Sequence, residues 1–268
     1  MTLTAGVDMG STATKALVLI DGRIAGSDTR PTGSDPEQSG ELALKTALDA
    51  AGAKLDDVER VVSTGYGRRV LGLADEAINE INANARGAAW LGSSLGRVRT
   101  IIDIGGQDSK VIALDPDGVI RDFAMNDKCA AGTGKFLEVI AQLLEVRVED
   151  LGTLSAQATR PVAIASTCVV FAQSEVVGLI ARKEPRPDIV AGIHRAIASR
   201  VVNMARRVGV EPVVVFDGGP AKNEGLRAAL EAELGLKVFV PARPQLVVAL
   251  GAALVAADMV GGGGEGVG

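Results

Sequence analysis

Over the first hundred positions apolar residues come in short runs separated by glycine-bearing polar turns, a pattern of strands rather than long helices. Residues 4–8 and 15–20 are predicted to form two strands around a Gly-Ser-Thr turn, with Asp21-Gly22 as a hairpin turn. A helix is predicted over 41–51, a strand over 58–63, a glycine turn at Thr64-Gly65-Tyr66-Gly67, and a helix rich in small residues over 74–90. Near residue 97 the pattern starts again, with a strand over 100–104, a glycine turn, a strand over 110–114 and a hairpin turn at Asp115-Pro116-Asp117-Gly118. Phe136, Leu137, Val139, Ile140, Leu143 and Leu144 then recur at helical spacing, which predicts a helix to about residue 145. Further strands are predicted at 161–165, 213–216 and 237–240, and further helices at 169–181, 188–208, 225–234 and 245–260. The glycine-rich tail 261–268 is expected to be disordered.

The restart is a duplication. Asp8-Met9-Gly10-Ser11-Thr12-Ala13-Thr14-Lys15 and Asp103-Ile104-Gly105-Gly106-Gln107-Asp108-Ser109-Lys110 share a strand, Asp-x-Gly, a polar turn, a lysine and a second strand. The expected organisation is an α/β chain of two similar domains, 1–96 and 97–243, with the helix at about 244–260 packing back on the first.

Composition narrows the classes of function. A net charge of −5 and 3% aromatic residues argue against a nucleic-acid partner, which would need a basic face and stacking side chains. The longest apolar stretch, 246–257, reads as too short and too rich in alanine to span a bilayer, and no basic segment followed by an apolar one opens the chain. The expectation is a cytoplasmic protein without a membrane partner. Two cysteines are too few for a disulfide-scaffolded secreted domain.

The duplicated turns suit a nucleoside triphosphate. Such a ligand needs backbone N–H groups at close approach, small hydroxyl residues, and carboxylates for a hydrated Mg²⁺. Asp8 and Asp103, at strand ends, are the candidates to hold Mg²⁺ through water; Gly10, Ser11, Thr12, Gly105 and Gly106 are the candidate phosphate cradle. Lys15 and Lys110 either neutralise phosphate or serve as inter-strand lysines. Gln107 either orients an attacking water or makes a turn hydrogen bond. A third element, Val213-Val214-Val215-Phe216-Asp217-Gly218-Gly219-Pro220-Ala221-Lys222-Asn223, runs a strand through a Gly-Gly turn into a helix. It reads as a platform against adenosine, with Gly218, Gly219 and Asn223 as contacts, or as a tight strand–helix connection. His194, the one histidine, reads as a surface or packing residue. The three elements together resemble the phosphate and adenosine motifs of the actin, sugar kinase and heat-shock chaperone superfamily, in which two ribonuclease-H-like domains close over a nucleotide cleft. Gly132-Thr133-Gly134-Lys135-Phe136 is not a Walker loop, because that motif needs Gly at 129 and Ser or Thr at 136, where Cys129 and Phe136 stand.

Cys129 and Cys168 each stand just ahead of a predicted helix, where the helix dipole stabilises negative charge by about 0.3–1 kcal/mol. Two thiolates are half of a four-cysteine metal site, and a homodimer doubles them to four. Two inert buried cysteines and a dimer-bridging zinc are the other readings.

Gly6-Val7-Asp8-Met9-Gly10-Ser11-Thr12, Thr64-Gly65-Tyr66-Gly67-Arg68, Asn126-Asp127-Lys128-Cys129-Ala130-Ala131-Gly132-Thr133-Gly134 and the stretches 103–110, 166–175 and 192–200 resemble the activators of 2-hydroxyacyl-CoA dehydratases, in the BadF/BadG/BcrA/BcrD ATPase family. The resemblance runs from about residue 4 to residue 257. It implies a homodimer with one 4Fe–4S cluster at its interface, bound by Cys129 and Cys168 of each subunit. It also implies ATP or ADP with Mg²⁺, ferredoxin or flavodoxin as electron donor, and a dehydratase as partner. The ATPase subunits of benzoyl-CoA (aryl-CoA) reductase are relatives of that family and supply an alternative partner. The chain departs from the family's usual Thr-Gly-Gly-Val-Ala at Asp217-Gly218-Gly219-Pro220-Ala221, and from its aromatic-containing C-terminal approach at Gln245-Leu246-Val247-Val248. Rival classes are a small-molecule kinase of the same fold and an actin-like assembly protein.

Overall fold

The computed structural model describes residues 1–92, 96–165 and 168–261. The disordered tail expected over 261–268 lies, from residue 262 onward, outside the described residues, as do the first two residues of the 166–175 stretch. The chain divides into two compact units, Met1–Ser94 with Gln245–Gly268, and Leu95–Pro244.

The first unit opens with β1 (Leu3–Met9), β2 (Ala13–Ile20) and β3 (Arg23–Pro31), an antiparallel meander, followed by helix α1 (Pro36–Ala51), β4 (Arg60–Thr64), the two-residue β5 (Glu76–Ala77) and helix α2 (Glu80–Gly92). Strand order is β3-β2-β1-β4-β5, with β1 parallel to β4. Every residue of β1 is buried, so its sequence shows no polar–apolar alternation, as befits a strand covered on both faces. Asp35 caps α1 by accepting from the Gln38 N–H at 3.0 Å, and proline follows at the first helical position.

The second unit repeats the arrangement. β6 (Thr100–Ile104), β7 (Ser109–Leu114) and β8 (Ile120–Asn126) form the meander. A helical stretch follows, comprising α3 (Gly134–Leu143), α4 (Leu151–Ser155) and α5 (Val169–Ala181), and then the long α6 (Arg186–Val208). β9 (Val214–Asp217), α7 (Glu224–Leu234) and β10 (Val238–Phe239) complete it, in the order β10-β9-β6-β7-β8. Ile102, Ile104, Val111, Phe136, Ile193 and Phe216 lie in its buried core.

The last helix, α8 (Val247–Gly261), belongs to the first unit, packed on β1, β2, β4 and α2. Contrary to the reading from sequence, the segment Pro244–Gly261 is long and apolar enough to cross a membrane, with a mean hydropathy of 1.6. Its packing gives that apolarity another cause. Ala249, Leu250, Ala253 and Leu254 are buried against Leu17 and Leu19 of β2, and a side chain at Gly251 would collide with the Ala83 carbonyl of α2.

Two predicted elements are corrected. The helix expected over 74–90 starts only at Glu80: Asp75 and Ile78 hand their N–H groups to the Val61 and Ser63 carbonyls of β4, and Asn79 accepts from Ile81 N at 2.8 Å. Residues 161–165, expected to be a strand, pair with none. Asp188 Oδ1 takes the N–H groups of Thr159 and Arg160, the Asp188 carbonyl takes that of Val162, and Glu175 takes that of Ala165.

Candidate functional site: two phosphate turns and a cysteine pair

Antiparallel register sets the first turn. Asp8 of β1 stands opposite Lys15 of β2, and the Lys15 Nζ donates to Asp8 Oδ2 at 2.7 Å. Gly10, Ser11 and Thr12 make the turn between them, Ser11 and Thr12 exposed and Gly10 half-buried. A side chain on Gly10 would press on the Lys15 ammonium. Asp8 is buried, and its Oδ1 has no hydrogen-bond partner among the described residues, which leaves an acceptor for a metal-bound water. β4 brings Thr64 alongside Asp8, and the following Gly65, at φ +87°, passes so close that a Cβ would lie 2.6 Å from Asp8 Oδ1.

The second unit uses the same register. Asp103 of β6 faces Lys110 of β7 at 3.3 Å, and Lys110 also pairs with Asp108 at 2.9 Å. All three are buried. Burial of charge at this depth is tolerated because two carboxylates surround the one ammonium. β9 runs parallel to β6 and sets Asp217 beside Asp103; Gly218 then takes φ +85°, and a Cβ there would strike the Ile104 carbonyl and crowd Asp103 Oδ1. Gly218 is thus the counterpart of Gly65. Gln107 is exposed at the tip of the turn; Gly105 and Gly106 are half-buried. Both carbonyls of that glycine pair are engaged: Gly105 O accepts from Gly134 N and Gly106 O from Lys135 N, each at 2.9 Å. Gly134 is the first residue of α3.

Both lysines occupy the inter-strand position, paired with aspartate. Gly219 is half-buried and opens a short helical turn over Gly219–Lys222. The Asn223 side chain caps α7, its Oδ1 accepting from Leu226 N at 3.0 Å, while its Nδ2 lies 3.0 Å from His194 Nε2. His194 is buried, the packing alternative of the two weighed from sequence.

Cys129 and Cys168 both belong to the second unit, both are partly exposed, and neither is in a disulfide. Asn126, the last residue of β8, fixes Cys129 from both sides: its Nδ2 donates to Cys129 O at 2.8 Å and its Oδ1 accepts from Cys129 N at 3.2 Å. Cys168 is the N-cap of α5, extended at φ −112°, ψ 143°. Residues 161–165, expected to be a strand leading to it, form none, whereas β8 ends three residues ahead of Cys129. Burial pulls the Arg200 guanidinium of α6 below the usual arginine range, with nearby Cys129 acting in the opposite direction. Among the described residues of one chain no group of three or more His, Cys, Asp or Glu is placed to hold a metal ion. Thiolate sulfur is the soft donor type that an iron–sulfur cluster takes.

Thr64, Gly65, Asp108 and Asp217 were missed as site residues from sequence. The signal for Gly65 and Asp217 was there: each sits at a strand–glycine junction like that of the other unit. Asp108 carried none beyond its place in the turn.

A model of the BadF/BadG/BcrA/BcrD ATPase family matches residues 5–256. The (R)-2-hydroxyglutaryl-CoA dehydratase activating ATPase of Acidaminococcus fermentans is 44% identical over 254 residues, 94% of this chain and 96% of that protein. The crystallised activator of the 2-hydroxyisocaproyl-CoA dehydratase from Clostridium difficile, with bound ADPNP, superposes with a TM-score of 0.91 at 42% identity over 100% of both chains. A benzoyl-CoA reductase component from Thauera aromatica is more distant, at 33% identity over 243 residues, 87% of this chain and 84% of that protein.

Proposed function

The chain belongs to the BadF/BadG/BcrA/BcrD ATPase family, and from that premise we propose that it is an ATP-driven one-electron donor that reductively activates a 2-hydroxyacyl-CoA dehydratase. Higher identity to the dehydratase activating ATPase than to the benzoyl-CoA reductase component favours the dehydratase as partner. The protein works in the cytoplasm as a homodimer and takes its electron from ferredoxin or flavodoxin.

The observation that carries the reading is the tie between a phosphate turn and the cysteine segment. Gly105 and Gly106, candidates for the phosphates, hold the first two amides of α3 by their own carbonyls, and Cys129 lies five residues ahead of that helix. Within each turn the residues act in the same way. Asp8 and Asp103 are carboxylates for the waters of Mg²⁺, the half-buried glycines offer amides at close approach, and Lys15 and Lys110 hold the carboxylates in place. Gln107, exposed at the turn, orients the attacking water. When bound by Cys129 and Cys168 of two copies, a 4Fe–4S cluster supplies one-electron transfer. Val170, Phe171, Val177 and Ile180 leave an exposed apolar face on α5 directly after Cys168, a surface suited to a second copy.

The magnitudes are compatible. One electron moved by about 200 mV corresponds to about 4–5 kcal/mol, at about 1.4 kcal/mol per 59 mV. A ligand that prefers one of two states by about 5.5 kcal/mol inverts their populations.

The test is reconstitution. Anaerobically purified protein is expected to be brown, with about four irons per dimer, and to activate a 2-hydroxyacyl-CoA dehydratase only with ATP and a reductant. Stoichiometric zinc in place of iron, or activation without ATP, would overturn the proposal.

A further inference from the structure

Helix α6 meets both cysteine segments of the second unit. Arg121, at the start of β8, donates through Nη2 to Val208 O near the end of α6 at 3.1 Å, while the helical turn Ala130–Gly132 beyond the other end of β8 also packs on α6. The strand therefore runs back along the helix. From Arg121 to Asn126 a strand advances about 17 Å, the length of about eleven helical residues, which brings Asn126 back to about the level of Ile197. Cys129 caps the Ala130–Gly132 turn and is tied to Asn126, so it lies close to that level, where Arg200 stands. Residues spaced by four lie close to one face of a helix. On α6 that face carries Asp188, which holds the amides of Thr159 and Arg160, and Gly192, where a side chain would collide with the Val162 carbonyl. It continues through Ala196 to Arg200, so the segment leading to Cys168 is seated on the same face.

The Arg200 side chain is half-buried, and its Nη1 donates to Ala196 O at 3.0 Å, which holds the guanidinium against its own helix. Withdrawing such a cation from water costs free energy that an anion beside it offsets. Burial lowers Arg200 and Cys129 acts against that, so the two side chains feel one another's charge. Arginine stays protonated in proteins, so this positive charge is a fixed one.

We infer that Arg200 is a positioning residue of the cluster site: it sets a fixed positive charge beside the Cys129 sulfur and thereby favours the reduced form of the cluster bound there. Reduction adds one electron to a centre already negative through its thiolates. A cation beside one of them therefore stabilises the reduced form more than the oxidised one. Two-fold symmetry supplies a second Arg200 from the other copy. The electron comes from the protein donor and leaves to the dehydratase; Arg200 neither gains nor loses one, so it moves the midpoint potential alone. The consequence is a resting protein that its donor charges more readily.

The inference rests on the iron–sulfur reading, and the experiment keeps the two apart. Redox titration of the full-length, anaerobically purified protein, followed by visible absorption and electron paramagnetic resonance, compares the parent with Arg200→Gln, Arg200→Met and Arg200→Lys. At a fixed potential the two uncharged variants should hold about 10-fold less of the reduced form, a midpoint lower by about 59 mV for a one-electron couple. Arg200→Lys keeps the charge and should stay within about twofold of the parent. Lys128→Gln removes a charge next to Cys129 whose side chain is 89% exposed, and it too should stay within about twofold, because water and salt screen it. Uncharged variants that match the parent within about twofold would overturn the inference and leave the cluster reading standing. So would an equal fall in Arg200→Lys or in Lys128→Gln. If both uncharged variants lose their iron, Arg200→Lys decides: iron kept at the parental midpoint upholds the role of charge, and iron lost makes Arg200 a packing residue and ends the inference. A parent that holds zinc or no metal removes the cluster reading and the inference with it.

Discussion

The two phosphate turns are built alike but anchored differently. Each places an aspartate at a strand end, a lysine opposite it across the hairpin, and a positive-φ glycine from the next parallel strand against the carboxylate. The first turn is tied back into its own sheet: Thr32, following β3, donates its N–H to Thr12 O at 3.0 Å and its hydroxyl to Gly10 O at 2.7 Å. The second is tied to a helix, through Gly134 N and Lys135 N. Duplicated polar parts therefore do not imply duplicated roles. In the proposed mechanism, a turn held by its own sheet binds phosphate without passing on the event, whereas a turn bonded to the start of α3 is coupled through that helix to the segment that carries Cys129.

The largest expected effect is on the metal. Cys129→Ala or Cys168→Ala removes a quarter of the ligands twice over in a symmetric dimer, so iron content and colour should be lost completely, and the dimer weakened. Iron analysis and sedimentation under anaerobiosis check this. Retained iron in either variant would break the account of the second unit.

Next comes hydrolysis. Asp8→Ala and Asp103→Ala should each lower ATPase activity by about 10²–10³-fold, the scale seen when a preorganised electrostatic group is deleted, with iron unchanged. Parental rates in both would dismiss the pairing of the two turns as machinery.

Stability should report His194 with a definite sign. Its folded value of about 4 lies below the ordinary 6.5 because burial disfavours the charged ring. The unfolded chain takes up the proton first as pH falls. The stabilising contribution is therefore complete above pH 6.5 and lost between 6.5 and about 4, about 3 kcal/mol at the acid end. Denaturant melts of parent and His194→Gln should converge over that window.

The smallest effect sharpens the comparison most. Gly134→Pro removes the N–H that Gly105 holds, at a first helical position where proline is tolerated, after Thr133 in an extended conformation. Gly134→Ala keeps the N–H while meeting the same 3.2 Å approach to Gly105 O. The proline variant should reduce the effect of ATP on iron chelation by about 5- to 10-fold, within the usual range of coupling energies. The alanine variant should keep it, and so should Thr32→Val in the first unit.

Much of this was legible in the sequence, for physical reasons. Strand 100–104 and helix 169–181 coincide with β6 and α5, because a buried apolar run between glycine turns and a long apolar helix leave few alternatives. The Asp-x-Gly repeat gave away the register, since a hairpin of that length sets Asp8 against Lys15 and Asp103 against Lys110. Less visible was where side chains replace the sheet. Asp188 captures the amides of 159 and 160, so an apolar stretch that reads as a strand never joins a ladder. Asn79 was a cap signal overlooked inside a run of small residues. The bonds from Gly105 and Gly106 to α3 are backbone-only and leave no trace in residue type.

The central claim is that nucleotide and cluster share one free energy through the second turn. The most direct measurement is the rate at which a chelator removes iron from the reduced protein, with and without ATP. It is paired with titration of nucleotide into the oxidised and reduced forms under strict anaerobiosis. The account predicts faster chelation with ATP and, by reciprocity, nucleotide affinities that differ between redox states by about 1–3 kcal/mol. Identical chelation rates together with identical affinities would contradict it.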